Sequence, residues 1–313
     1  MKAAIIGQAG AQPYYGDMPE PQPGEHQQQV TVNAAALSQL AKARAAGTHY
    51  SSVAHYPFIP GIDGTGYLDT GEPVYFLTFN AAAGSMAERT VVNSEHIIPL
   101  PAGLDLVLAA ALANPGMSSW AALTRRAALR PGETVLINGA TGTSGRLAIR
   151  IARALGAGRI IATGRNREAL EQLQSEGADI ILTLDALSAE LPSLMAEGVE
   201  VVLDYLWGES ALAIMTAAVR GGDKVVRFVQ IGSLSGQEIS LHSKLLRSSG
   251  LTLMGSGLGS VPDRELIASI GEMLQAAASH GFAIPFQSRP LSEVAEAWQS
   301  DDSRYRTVFT LPM

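Results

Sequence analysis

The chain has 313 residues, of which 47% are apolar and 16% charged, with a formal net charge of −7 and no cysteine. That is long enough for two domains with a sizeable core, and too apolar for intrinsic disorder. The acidic balance and the lack of a Lys/Arg cluster argue against a nucleic-acid partner, and the missing cysteines exclude disulfides, thiolate catalysis and cysteine-ligated zinc.

The first hundred residues are rich in Gly and Pro and carry short apolar runs: AAII (3–6), VTVNAAAL (30–37), EPVYFLTF (72–79) and ERTVVNSEHIIPLP (88–101). Turn residues separate them, which reads as a mainly β region with loops and one helical interruption at 37–46. The start, MKAAIIGQAGAQ, has no apolar run of signal-peptide length. The longest apolar stretch, around 104–113, contains Asp105 and is too short to span a bilayer. A cytoplasmic protein without a membrane partner is expected. Arg125-Arg126 is an isolated basic pair, read as a solvated helix face.

From about residue 104 the texture changes to Ala/Leu helices alternating with β-branched runs. The runs are TVLING (134–139), RIIATG (159–164), DIILTL (179–184), EVVLDYL (200–206), KVVRFVQIG (224–232) and LTLMGSG (251–257). Helices are expected at 146–155, 167–176 and 210–220. Six strands alternating with helices predict an α/β fold with a doubly wound parallel sheet, a Rossmann domain. The tail, 261–313, contains a helix at 263–280 and two strand runs, FAIPFQS and RTVFTL. It is too short to stand alone and is expected to complete the first domain. The boundaries are therefore 1–108 with 260–313, and 109–259.

The sequence GATGTSG (139–145) follows the first of these strands. The usual dinucleotide-binding pattern is G-x-G-x-x-G, and Ala140 occupies its first glycine. Gly142 leaves room for a pyrophosphate to approach the backbone, and Gly145 lets the helix pack on its strand. Gly139, Thr141, Gly142, Thr143 and Ser144 are the candidate pyrophosphate contacts, the last two through hydroxyls. The second strand ends ATGRN. An NAD site places an acid there to hold the ribose 2′-OH, but this chain has Gly164 followed by Arg165. A guanidinium can bind a 2′-phosphate instead, so NADPH is expected, with Arg165 as main reader and Asn166 or Arg167 assisting.

Several segments together resemble the zinc-free, quinone oxidoreductase-like branch of the medium-chain dehydrogenase/reductase superfamily. They are PGIDGTGYL (60–68), GSMAERTVV (84–92), AAALANPGMSSWAAL (109–123), the stretch 130–157, VVLDYLWGESA (201–211) and FVQIGSLSG (228–236). The resemblance implies a mainly β, GroES-like substrate domain preceding the Rossmann domain. It also implies a cleft between them, and a homodimer paired through the last Rossmann strand, whose apolar LTLMGSG would otherwise be an unprotected edge. Zinc-dependent relatives carry His-Glu where this chain has Ile62-Asp63, so no catalytic zinc is expected. His49 and His55 lack a third ligand and are read as loop or cleft residues. Ser38 and Ala41 stand where relatives tend to have Asn and Asp.

The resemblance places Asn114 and Ser118 near the nicotinamide end, and Ile231, Gly232, Ser233, Ser256 and Gly257 at the carboxyl edge of the sheet. Hydride transfer needs orientation, dryness and a donor to the acceptor oxygen. Tyr50 is the candidate donor and His49 the alternative. The expected activity is zinc-independent reduction of a small-molecule acceptor, either a quinone or an α,β-unsaturated carbonyl. The other possibility is an NADPH-binding sensor or structural protein without turnover. No tyrosine has Lys four residues later, as a short-chain dehydrogenase requires. GSLSG (232–236) has Leu234 where a hydrolase has its nucleophile.

Overall fold

The computed structural model describes residues 1–48, 55–78, 83–220, 224–299 and 305–312. In chain order the elements are β1 (Lys2–Ile5), β2 (Tyr14–Asp17), β3 (Gln27–Ala36), α1 (Gln39–Ala45), β4 (Asp63–Leu68), β5 (Pro73–Leu77), β6 (Arg89–Asn93), β7 (Ile97–Pro99), α2 (Leu106–Ala121), β8 (Thr134–Asn138), α3 (Thr143–Ala154), β9 (Arg159–Gly164), α4 (Arg167–Ser175), β10 (Ile180–Thr183), α5 (Leu187–Glu197), β11 (Val201–Asp204), α6 (Gly208–Arg220), β12 (Val225–Gln230), α7 (Lys244–Arg247), β13 (Gly250–Gly255), α8 (Asp263–His280), β14 (Phe286–Pro290), α9 (Val294–Gln299) and β15 (Arg306–Thr310). The chain divides into two compact units, Met1–Asn114 with Leu274–Met313, and Pro115–Met273. The divisions fall within α2 and α8.

The first unit holds a sheet of order β14-β15-β3-β4-β5-β7, with β6 also on β3, and a separate β1-β2 pair. β14 runs parallel to β15 and the other neighbours are antiparallel. Alternation along β3 turns Val30 and Val32 into a core that includes Val74, Phe76, Met86 and Phe309, and Ala35 joins it beyond a register shift between Val32 and Ala34. β4 is glycine-rich and does not read as a strand in the sequence. Its glycines are there for close approach: a Cβ on Gly64 would lie 2.7 Å from the Ala34 carbonyl oxygen, and one on Gly66 2.2 Å from that of Thr31.

The second unit is built on six parallel strands in the order β10-β9-β8-β11-β12-β13. Every residue of β8 and β11 is buried, as a sheet covered on both faces requires. This is the doubly wound order, and its direction reverses between β8 and β11. α5 is absent from the expected helices; it forms around Pro192 by burying Leu187, Leu191, Leu194 and Met195.

The basic pair is not a solvated face. α2 ends in a π-helical turn, Ala122–Arg126, which directs both arginines into contacts. Arg125 pairs with Glu272 at 2.6 Å, and the Trp120 indole N–H donates to the same carboxylate at 2.8 Å. Arg126 Nε donates to the Gly255 carbonyl at 2.7 Å. Among the described residues one helical stretch, Leu106–Arg126, is long and apolar enough to cross a membrane by length and composition, and 67% of its apolar window is buried.

Asp63 lies at the start of β4, fully buried, and accepts a hydrogen bond from the Tyr75 hydroxyl at 2.9 Å. Burial pushes its carboxyl up to about 6, against the opposing pull of Arg306 and Tyr75. An acid whose pKa is raised by folding contributes stability below its unfolded pKa and loses it as pH rises through the folded value. A gap of about two units is worth about 3 kcal/mol. Urea denaturation of Asp63→Asn is therefore expected to improve relative to wild type by up to about 3 kcal/mol between pH 4 and pH 7. A difference independent of pH would contradict this account of Asp63.

Candidate dinucleotide site

Three buried strands carry a polar residue at or next to their carboxyl end, and the side chain of the middle one bonds to the other two. Asn138 and Asp204 close β8 and β11, Thr163 is the last residue but one of β9, and all three are fully buried. They are also lateral neighbours in the sheet register. Asn138 Nδ2 donates to Asp204 Oδ1 at 2.8 Å and to Ser210 Oγ at 2.9 Å, and the Thr163 hydroxyl donates to Asn138 Oδ1 at 2.7 Å. Asp204 also accepts the backbone N–H groups of Leu206 and Trp207. Burial raises its pKa, opposed by the bonds from Asn138, Trp207 and Leu206. Sequence reading missed this network, although the signal was present: each apolar run, TVLIN, RIIAT and VVLD, stops on a polar residue.

The glycine turn is seated on this network. The N–H groups of Gly139 and Ala140 donate to the Thr163 carbonyl at 3.2 and 2.8 Å, and Gly139 adopts φ +91°. Helix α3 begins at Thr143, earlier than the expected 146, with Gly142 as its N-cap and no side-chain cap bond. The Arg146 N–H reaches the Gly142 carbonyl, so the N–H groups of Thr143, Ser144 and Gly145 lie ahead of the first helical bond at the positive end of the dipole. A Cβ on Gly145 would lie 2.4 Å from the Gly139 carbonyl oxygen, which is why helix and strand approach so closely. A Cβ on Gly142 would meet nothing nearer than 3.8 Å, so open space lies over this turn. Donors, dipole and space fit the pyrophosphate of a dinucleotide.

The same sheet edge carries most of the other expected residues. Gly164 is the last residue of β9. Arg165 is exposed, and among the described residues its guanidinium has no hydrogen-bond or ion-pair partner. Asn166 caps α4, accepting the Ala169 N–H at 3.1 Å, and Arg167 is ion-paired with Glu171. Both are occupied locally. β12 stops at Gln230, and the N–H groups of Ile231 and Gly232 then turn back to the Asp204 carbonyl. Ser233 accepts from Gln237 Nε2 at 3.0 Å. β13 stops at Gly255, just short of Ser256; the Ser256 N–H bonds to Gln230, and the Gly257 N–H to Ser260 Oγ. Ser118 Oγ donates to the Pro115 carbonyl. Its neighbour Ser119 accepts from the buried Tyr205 hydroxyl at 3.1 Å, a tie that sequence reading did not foresee. Asn114 lies in α2, within the first unit. Tyr50 and His49 fall outside the described residues, and His55 is exposed.

Residues 145–279 match the model of the zinc-binding dehydrogenase family. Over 96% of both chains, the protein is 30% identical to a probable NADPH-dependent quinone reductase of Emericella nidulans. The chain belongs to the medium-chain dehydrogenase/reductase superfamily, in its quinone oxidoreductase-like branch. Human quinone oxidoreductase, another member of that branch, is 26% identical over 91% of this chain and 88% of its own. The quinone oxidoreductase of Thermus thermophilus, solved alone and with NADPH, superposes with a TM-score of 0.82 at 26% identity, covering 99% of this chain and 100% of its own. The superfamily's zinc-dependent members need ligands that this chain does not supply. It has no cysteine, and Asp63 is bonded to Tyr75.

The two glycines of the turn are expected to respond differently to alanine. Gly142→Ala should hold its stability within about 1 kcal/mol, an N-cap-sized effect, while dinucleotide binding weakens. Gly145→Ala should lose about 1–3 kcal/mol through overpacking against Gly139. Urea denaturation together with titration of a reduced nicotinamide dinucleotide checks both.

Proposed function

We propose that this NADPH-dependent oxidoreductase passes hydride to a small quinone or α,β-unsaturated carbonyl, without a metal. One observation carries the choice of cofactor. Gly164 closes β9 where an NAD site would present a carboxylate, and the next residue is the exposed, unengaged Arg165. A guanidinium there suits a 2′-phosphate, while a ribose diol has no carboxylate to hold it. The relatives named as NADPH-dependent quinone reductase and quinone oxidoreductase support the acceptor class.

When bound, the nicotinamide supplies the hydride. The chain's part is to bind and orient. The N–H groups of Thr143, Ser144 and Gly145 would hold the pyrophosphate, with Gly139, Thr141 and Gly142 shaping the turn and Arg165 reading the 2′-phosphate. Asn114, Ser118, Ile231, Gly232, Ser233, Ser256 and Gly257 would define the nicotinamide end. Of these, Ser118 is held by Pro115 and sits next to Ser119, which Tyr205 fixes. Tyr50 would donate to the acceptor oxygen as charge builds there. This division of labour needs no titrating acid on the described part of the edge. We also infer a cytoplasmic homodimer. Among the described residues β13 has a partner strand on one side only, and its exposed Thr252 and half-buried Leu253 and Met254 are left at the edge.

Oxidation of NADPH and NADH at 340 nm by chelator-treated protein, against quinones, enones and enals, tests the proposal. Turnover with NADPH well above NADH is expected. Arg165→Ala should raise the KM for NADPH about 10- to 100-fold, the loss of one or two charge-assisted bonds, and leave that for NADH nearly unchanged. Tight NADPH binding with no acceptor turned over would favour a sensor instead.

A further inference from the structure

Gly164, the last residue of β9, lies against Thr141 in the turn that follows β8. A Cβ built on Gly164 would lie 2.8 Å from Thr141 Cγ2, 3.2 Å from Thr141 Oγ1 and 3.4 Å from Leu170 Cδ2. The first distance is shorter than real Cβ contacts allow, so any side chain at 164 must displace Thr141. Thr141 resists displacement for two reasons. It is β-branched, so its χ1 has few alternatives. The backbone on its N-terminal side is tied to β9 through Gly139 and Ala140, both bonded to the Thr163 carbonyl, the residue before Gly164.

We propose that Thr141 is a specificity-determining residue: its side chain fills the space from which a ribose-binding carboxylate would grow, so that Thr141 and Gly164 together, not Gly164 alone, commit the site to a 2′-phosphorylated dinucleotide. This rests on the NADPH reading above and adds a coupling between two positions. The preference is then built twice, once by the cation that attracts the phosphate and once by a neighbour that keeps the opposing anion out.

A double-mutant cycle of wild type, Thr141→Ala, Gly164→Asp and the double variant tests it. Thr141→Ala removes the two atoms that crowd Gly164. Two readouts are taken: the thermal midpoint without cofactor, and the Kd for NADPH and NADH from nicotinamide fluorescence. Gly164→Asp alone is expected to melt several degrees lower and to bind both cofactors at least tenfold more weakly. The double variant should recover most of that midpoint and bind NADH at least tenfold better than Gly164→Asp does, with NADPH still excluded by the new carboxylate. Additive midpoints, or equal NADH affinity in Gly164→Asp and the double variant, would overturn the coupling. The midpoint cycle needs no cofactor. If wild type bound neither dinucleotide, the NADPH reading would fail while the midpoints still decided whether Thr141 and Gly164 exclude each other.

Discussion

The hydrogen bonds joining Asn138, Thr163 and Asp204 are the constraint on which the rest of the second unit depends. They place three polar groups in a buried position where each must find a partner, because an unsatisfied group there costs more than an apolar one would. The partners come from neighbouring strands at one level of the register, so satisfying them sets β8, β9 and β11 level with one another at their carboxyl ends. From that line the chain turns out three times: into the glycine turn, into Gly164 and Arg165, and into Tyr205 and Leu206. The site is an edge because the network draws one. The turn with open space over Gly142 is tied to this edge by the Thr163 carbonyl, which accepts from Gly139 and Ala140.

How much of this was legible in the sequence depended on whether one residue carried the signal or two distant ones shared it. The six strands of the parallel sheet were readable because each is a compact apolar run followed by a turn. Gly145 was readable because close packing of helix on strand leaves glycine little alternative. β4 was not, because its glycines answer to carbonyls of β3, some thirty residues earlier in the sequence. α5, which contains Pro192, was not readable either. Its buried leucines outweigh the lost hydrogen bond, and that balance is struck only once the sheet exists. Arg125 and Arg126 looked solvated because their partners, Glu272 and Gly255, lie more than a hundred residues away. Asn166 and Arg167 are engaged in local roles, a cap and an i,i+4 pair, which leaves Arg165 as the cation of this stretch without a partner among the described residues.

One acid reaches the core of the first unit. Asp63 is buried against the Tyr75 hydroxyl, with Arg306 drawing on its charge. A carboxylate committed in this way has a structural task.

Amide hydrogen exchange of the wild-type protein with and without NADPH tests whether the dinucleotide binds at the carboxyl edge organised by Asn138 and Asp204. Slowed exchange is expected at residues 142–146, 164–166 and 231–233, with no change at the opposite edge around Glu133 and Val225. Protection confined to that opposite edge, or none at saturating NADPH, would contradict binding there.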